Sequence, residues 1–395
     1  MAESGSIIPS GRSRLVSIDM LRGLVLVIMA LDHVRDMVTH PLSANYSSAV
    51  DFTGSAGALF FTRWITNICA PTFVLLAGVS AFLYGAKRGR PTGDIGRFLL
   101  SRGVWLIFME LTVISFAWAF NLRTLPFLQV IWAIGWSMIA LAGLVYLPKT
   151  AIGVVGILMI VLHNGLDYVQ PLISDASPAW VILHIPGPLT IGGAQVANII
   201  YPLIPWIGVM AVGYAIGSYF MEPNTDRPKR LFQIGLLLTF SFLLLRAMNI
   251  YGEPVKWDSH SSAIATLISF FSVTKYPPSL HYLLMTLGPA FMLLGWFEKC
   301  SGKIAERLII IGRVSFFYYV IHLYLIHTIA IAIGLWQGFS LRDMTVLFLE
   351  NPANFGISLG GVYIVWGITV LAIYPACVWF AGIKARRRDW WLKYL

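Results

Sequence analysis

The stretch "RLVSIDMLRGLVLVIMALDHVRD", residues 14–36, decides the fold. It is proline-free and long enough to cross a hydrocarbon core, which takes about 20 apolar residues. Yet it carries Asp19, Arg22, Asp32, His33, Arg35 and Asp36. Ionisable groups are costly inside a bilayer and are functional candidates there by default. On a helix, Asp19, Arg22, Leu26, Met29, His33 and Asp36 follow one another in steps of three or four and share a face. At a rise of about 1.5 Å per residue, Arg22 and His33 lie roughly 16 Å apart along that face.

The rest of the chain agrees with a membrane setting. Of 395 residues, 57% are hydrophobic and 12% charged, and mean hydropathy is +0.75. Soluble proteins carry about 25% charged residues. The expected class is an all-α polytopic membrane protein, one bundle of about ten spans. They fall near 16–38, 58–86, 96–120, 127–147, 150–166, 200–220, 230–250, 278–297, 310–334 and 357–383. Lys and Arg concentrate at the N-terminus, around 87–97, 149, 227–230 and 299–307, and in the tail. The opposite loops hold only Arg123, Lys256, Lys275 and Arg342. By the positive-inside rule both termini are cytoplasmic. The net charge of +10 is therefore a topology device, and no nucleic-acid partner is expected.

The expected organisation is a polar N-terminus over 1–13, a single transmembrane domain over 14–383 and a basic cytoplasmic tail over 384–395. The first apolar run is too long and too charged for a cleavable signal peptide. Cys69, Cys300 and Cys377 lie far apart and suggest neither a disulfide framework nor a zinc site. Residues 167–199, broken by "HIPGPLTIGG", read as a long loop, with an eleventh span over 177–199 as the alternative.

Asp19 and Arg22 also read as a helix-start pair behind a Ser17 cap, and each histidine as a packed ring bonded to a carbonyl. Four ionisable groups within five positions, 32–36, are a costly way to pack, which favours function for His33. The second span brings Arg63 and Asn67 one turn apart; Arg63 either pairs with Asp32 or Asp36 or meets a substrate anion. Pro71 frees a backbone carbonyl close by. Lys275, Tyr276 and His281 open the eighth span; Arg313, His322 and His327 follow on the ninth. Histidines at this depth suit proton transfer near neutral pH. No metal is expected, because no HxxxH or HExxH occurs and the fivefold spacing of His322 and His327 suits a helix face poorly. Gly-rich phosphate loops, a GxSxG elbow and CxxC are likewise missing, which leaves a phosphate-bearing donor to Arg and Lys at helix ends.

The motif Arg14-x-x-Ser17-x-Asp19-x-x-Arg22-Gly23 and the ordered set "LFFTRWITNICAPTFVLLAGVSAF", "YPLIPWIGVMAVGYAIG", "TKYPPSLHYLLMTLGPA" and "GRVSFFYYVIHLYLIH" resemble the heparan-alpha-glucosaminide N-acetyltransferase-like family of transmembrane acyltransferases. The likeness runs from residue 14 to about 330. It implies transfer from acetyl-CoA or another acyl-CoA on the cytoplasmic side to an amine or hydroxyl of a sugar or glycan acceptor on the far side.

Under that resemblance Asp19, Arg22, Arg313 and His322 belong to the donor end. His33 is the general base, Asp32 or Asp36 holds its tautomer, and Arg63 or Asn67 meets the oxyanion. His40, Lys275, Tyr276, His281 and His327 fall to the acceptor. Lysosomal members carry Asn at the place of His33 and their proposed active-site His about eleven residues later, so His33 and His40 share the candidacy for base. An acyl-histidine and direct transfer both stay open. The expected site is a bacterial inner membrane, with lipid as neighbour and a homodimer among the open oligomeric states. The alternative function is a transporter or flippase using the charged stripe as a path.

Overall fold

The computed structural model describes residues 16–39, 55–86, 89–173, 177–221, 225–387 and 389–394. Helix α1 (Val16–Val38) is the axis of the molecule. It is followed by α2 (Ser55–Thr66), α3 (Cys69–Ala86), α4 (Thr92–Met109), a π-helical stretch (Glu110–Ile114) and α5 (Ser115–Ala119). Then come β1 (Phe127–Leu128), α6 (Val130–Leu144), α7 (Lys149–Leu162), α8 (Pro178–Leu183), β2 (Gly187–Ile191) and β3 (Ala194–Ile199). The chain continues through α9 (Leu203–Ile216), α10 (Arg227–Met248), α11 (Ala263–Phe271), α12 (Leu280–Phe297), α13 (Lys303–Arg313), α14 (Ser315–Trp336), α15 (Leu341–Met344) and α16 (Leu359–Arg386).

Among the described residues, eight helical stretches are long and apolar enough to cross a membrane. Each of the ten stretches expected from the sequence contains helix. The two outside those eight are α1, which carries too many charges, and α6, which is apolar but only 15 residues long. Polarity is turned inside out relative to a soluble bundle. Outer helices expose Leu237, Phe240, Ile364 and Leu371, whereas α1 buries Asp19, Asp32, His33 and Arg35. The molecule is an integral membrane protein, predominantly helical.

Close packing rests on small residues, as membrane helices require. Gly23 and Gly312 let α1 and α13 touch backbone to backbone: an added Cβ would lie 1.9 Å from the Leu308 carbonyl oxygen or 1.8 Å from that of Asp19. The contact delivers Arg313, the last residue of α13, to Asp19. Gly78 and Gly213 join α3 to α9 in the same way, and Gly103 and Gly135 join α4 to α6.

Three details differ from or settle the sequence reading. The bundle carries one small sheet that was not expected, in which β1, β3 and β2 form three strands in that order. The alternative eleventh span over 177–199 is instead the short helix α8 and a β2–β3 hairpin. Gly192 and Gly193, both at positive φ, make its two-residue turn. Finally, the expected ninth span 310–334 is two helices, because α13 ends at Arg313 and α14 starts after Val314.

Candidate active site

Along the shared face of α1 lies a cavity of about 440 Å³. Asp19, Arg22, Arg102, Arg313 and Lys384 line one end, and Leu26, Leu99, Leu106, Ile131, Met138 and Phe316 its apolar walls. Met29 and Tyr319 mark its progress toward the opposite end of α1. Asp19 pairs with Arg22 at 3.7 Å and with Arg313 at 3.6 Å. Arg22 also donates to the Leu76 carbonyl at 3.0 Å and to the Ser80 hydroxyl, so its guanidinium is anchored on α3. Lys384 donates to the Arg313 carbonyl at 3.1 Å. Asp19, Arg22 and Arg313 thus come together as the sequence suggested. Lys384, in the last turn of α16, was not singled out; only its place in the basic tail hinted at it.

His33 is one turn beyond Met29 and is not itself a wall of the cavity. Its Nδ1 lies 2.7 Å from His322 Nε2. His322 Nδ1 is 2.9 Å from the Tyr318 carbonyl, which can only accept, so that nitrogen carries the hydrogen. With both rings neutral, His322 Nε2 accepts and His33 Nδ1 donates. This leaves the lone pair of His33 on Nε2, the state a general base or nucleophile needs. Trp118 meets the His33 ring edge-on at 5.0 Å and Tyr319 does so at 6.2 Å. His322, expected at the donor end, is therefore the partner of the candidate base.

The carboxylates expected to orient His33 make other bonds. Asp32 pairs with Arg35 at 2.7 Å and Lys275 at 3.5 Å and accepts from the Thr66 hydroxyl at 2.8 Å. Asp36 pairs with Arg35 at 2.6 Å. Lys275 lies in the loop before α12. Burial alone would depress its ammonium; the Tyr276 phenol and the Asp32 carboxylate outweigh that and hold it above the ordinary lysine range. Its ammonium stands over the Tyr276 ring at 5.3 Å. Arg63 is half-buried on α2, electrostatically close to Asp36 and Lys275.

Asn67 marks the break between α2 and α3. Pro71 has no N–H to bond the carbonyl four residues back, and the Tyr282 hydroxyl donates to that Asn67 carbonyl at 2.9 Å instead. The Asn67 side-chain oxygen is buried without a hydrogen bond among the described residues.

The remaining candidates scatter. His281 faces α10 and packs edge-on against Phe242 at 6.3 Å, away from the Asp32 group. His327 has a backbone carbonyl facing each nitrogen, Ala117 at 2.8 Å from Nδ1 and Met344 at 3.2 Å from Nε2, of which the neutral ring bonds one, and it stacks on Phe120. It lines a second cavity of about 10 Å³, room for about one water, which also touches Trp118. His40 lies outside the described residues. No cluster of metal-ligating side chains occurs among the described residues.

Fold and site together define a polytopic membrane protein built around one charged helix, with a long cavity ending beside a histidine pair. The family model described as heparan-alpha-glucosaminide N-acetyltransferase, catalytic, matches residues 14–251, and the chain belongs to that family of membrane acetyltransferases. The match takes in α1 through α10 and stops before Lys275, Arg313, Tyr319 and His322. No curated protein sequence matches the chain.

Proposed function

We propose that the protein moves an acetyl or other acyl group from cytoplasmic acyl-CoA to an amine or hydroxyl of a sugar-type acceptor on the other side of the membrane. The single observation that carries this reading is the cavity, cationic at one end and apolar along its length, that stops at Met29 and Tyr319 beside the His33–His322 pair. Its volume lies in the range of small-molecule sites, about 300–1,000 Å³. Arg22, Arg102, Arg313 and Lys384 suit the phosphates of the donor, and the apolar walls suit its acyl-bearing arm. His33 Nε2 takes the acceptor's proton as the acceptor attacks the thioester carbon. His322 holds the tautomer that leaves that nitrogen free.

In this reading residues 14–383 form one transmembrane domain of ten spans, with both termini cytoplasmic and a bacterial inner membrane as the site. Arg313, Arg102 and Lys384 gather at the Asp19 end of α1, and Lys275 sits at the Asp32 end, which supports the orientation. The Asp32–Arg35–Lys275 group, with Arg63 and Tyr276 close by, then frames the acceptor side. Homodimerisation is part of the proposal to be tested by mass measurement in detergent.

The experiment is transfer of radiolabel from acetyl-CoA to amino-sugar acceptors by purified protein. Label on the acceptor with wild type, and its loss in His33→Ala, is the expected result. Acceptor uptake into proteoliposomes without acyl-CoA, and no label transfer, would replace the enzyme with a transporter.

A further inference from the structure

The polar groups of the long cavity are engaged with one another at its cationic end. Asp19 faces Arg22 and Arg313, Arg22 bonds Leu76 and Ser80, Lys384 bonds the Arg313 carbonyl, and Ser315 bonds the Gly312 carbonyl at 2.5 Å. Tyr319, where the cavity approaches His33, is different. It lines the cavity and is 4% exposed, and its hydroxyl is buried with no hydrogen-bond partner among the described residues. Its ring stands edge-on to His33 at 6.2 Å and to His322 at 5.5 Å. A buried hydroxyl without a partner forgoes a hydrogen bond, which is unfavourable. That cost falls where the reacting carbonyl of the donor would arrive.

We propose that Tyr319 is a catalytic residue whose phenolic O–H donates a hydrogen bond to the carbonyl oxygen of the acyl thioester. The inference rests on the acyltransferase reading and assigns to Tyr319 the oxyanion role that sequence had given to Arg63 or Asn67. The acceptor's nitrogen or oxygen forms a bond to the carbonyl carbon while its proton passes to His33 Nε2. The carbonyl π electrons move onto oxygen, where Tyr319 stabilises the negative charge. Collapse breaks the carbon–sulfur bond, and the departing thiolate receives the proton held by His33. The products are the acylated acceptor and CoA thiol.

Tyr319→Phe is a clean test, because it deletes a hydroxyl that bonds nothing among the described residues. The expected result is a fall in kcat of about 10²–10³-fold. The melting temperature and the affinity for a CoA thioether lacking the carbonyl stay at wild-type values. A kcat within about threefold of wild type, while wild type transfers label, overturns the role of Tyr319 alone. An equal loss of kcat, melting temperature and thioether affinity overturns it too, by showing a structural role. Wild type that transfers no label overturns the acyltransferase reading and this inference with it.

Discussion

His33 Nδ1 and His322 Nε2 stand 2.7 Å apart, joining residues separated by 289 positions in the chain. With both rings neutral, the carbonyl of Tyr318 fixes the direction of both hydrogen bonds, and in the proposed mechanism His322 acts through His33. His322→Phe removes the acceptor and is expected to lower kcat by about 10²–10⁴-fold, the range for losing a correctly presented base. The KM for acyl-CoA should change little. His322→Gln keeps an acceptor oxygen and should recover part of the loss, which steady-state kinetics on the two variants will show.

The Asp32 group makes a stability prediction with a defined pH sense. Asp32→Asn leaves Arg35 and Lys275 facing a neutral amide, and breaking a buried pair this way costs about 3–5 kcal/mol. Lys275→Met should cost less, since Arg35 still holds Asp32. Lys275 is raised in the folded protein, so its contribution is complete below the unfolded lysine pKa and is lost only as pH rises through the higher folded value. The stability gap between wild type and Lys275→Met should therefore be flat from about pH 6 to about pH 9. Denaturation in detergent at several pH values tests this, and a gap that closes within that window contradicts it.

At the cationic end, Arg22→Ala should raise the KM for acyl-CoA by about tenfold, the worth of one charge-assisted contact of roughly 1.5 kcal/mol. The same variant should treat a short acyl thioester without the nucleotide as wild type does. Equal losses on both donors would take Arg22 away from the phosphates.

Packing at the α1–α13 crossing gives a fourth test. A methyl group at Gly312 would meet the Asp19 carbonyl at 1.8 Å, so Gly312→Ala must push the helices apart. Overpacking of this kind costs about 1–3 kcal/mol. It should also raise the acyl-CoA KM as Arg313 leaves Asp19. Gly93→Ala, where nothing lies within 4 Å, is the control and should change neither.

Much of the architecture was legible because hydropathy and charge are local properties. The first span, read as 16–38, is α1 from Val16 to Val38, and the part of its charged face from Asp19 to Met29 lines the cavity. The pairing of His33 with His322 was not legible, since nothing local links positions so far apart. Asp32 looked like the natural orienter of its neighbour His33. Adjacent helical residues point about 100° apart, however, and Asp32 turns to Thr66 and Lys275 instead. The hairpin at 187–199 did carry a signal, Gly192-Gly193 between short apolar runs, which a search for membrane spans passes over. Tyr319 also carried one, three residues before His322 on the same helix face.

Helix α1 is unbroken from Val16 to Val38, and its backbone is clamped to α13 at Gly23 and Gly312. It behaves as a shaft, not a hinge, some 34 Å long at about 1.5 Å per residue. Asp19 and His33 ride on that same shaft and cannot be exposed in turn by bending it. In the acyltransferase reading, traffic comes to the shaft from both sides: a long flexible thioester threaded from below, and a nucleophile descending from above.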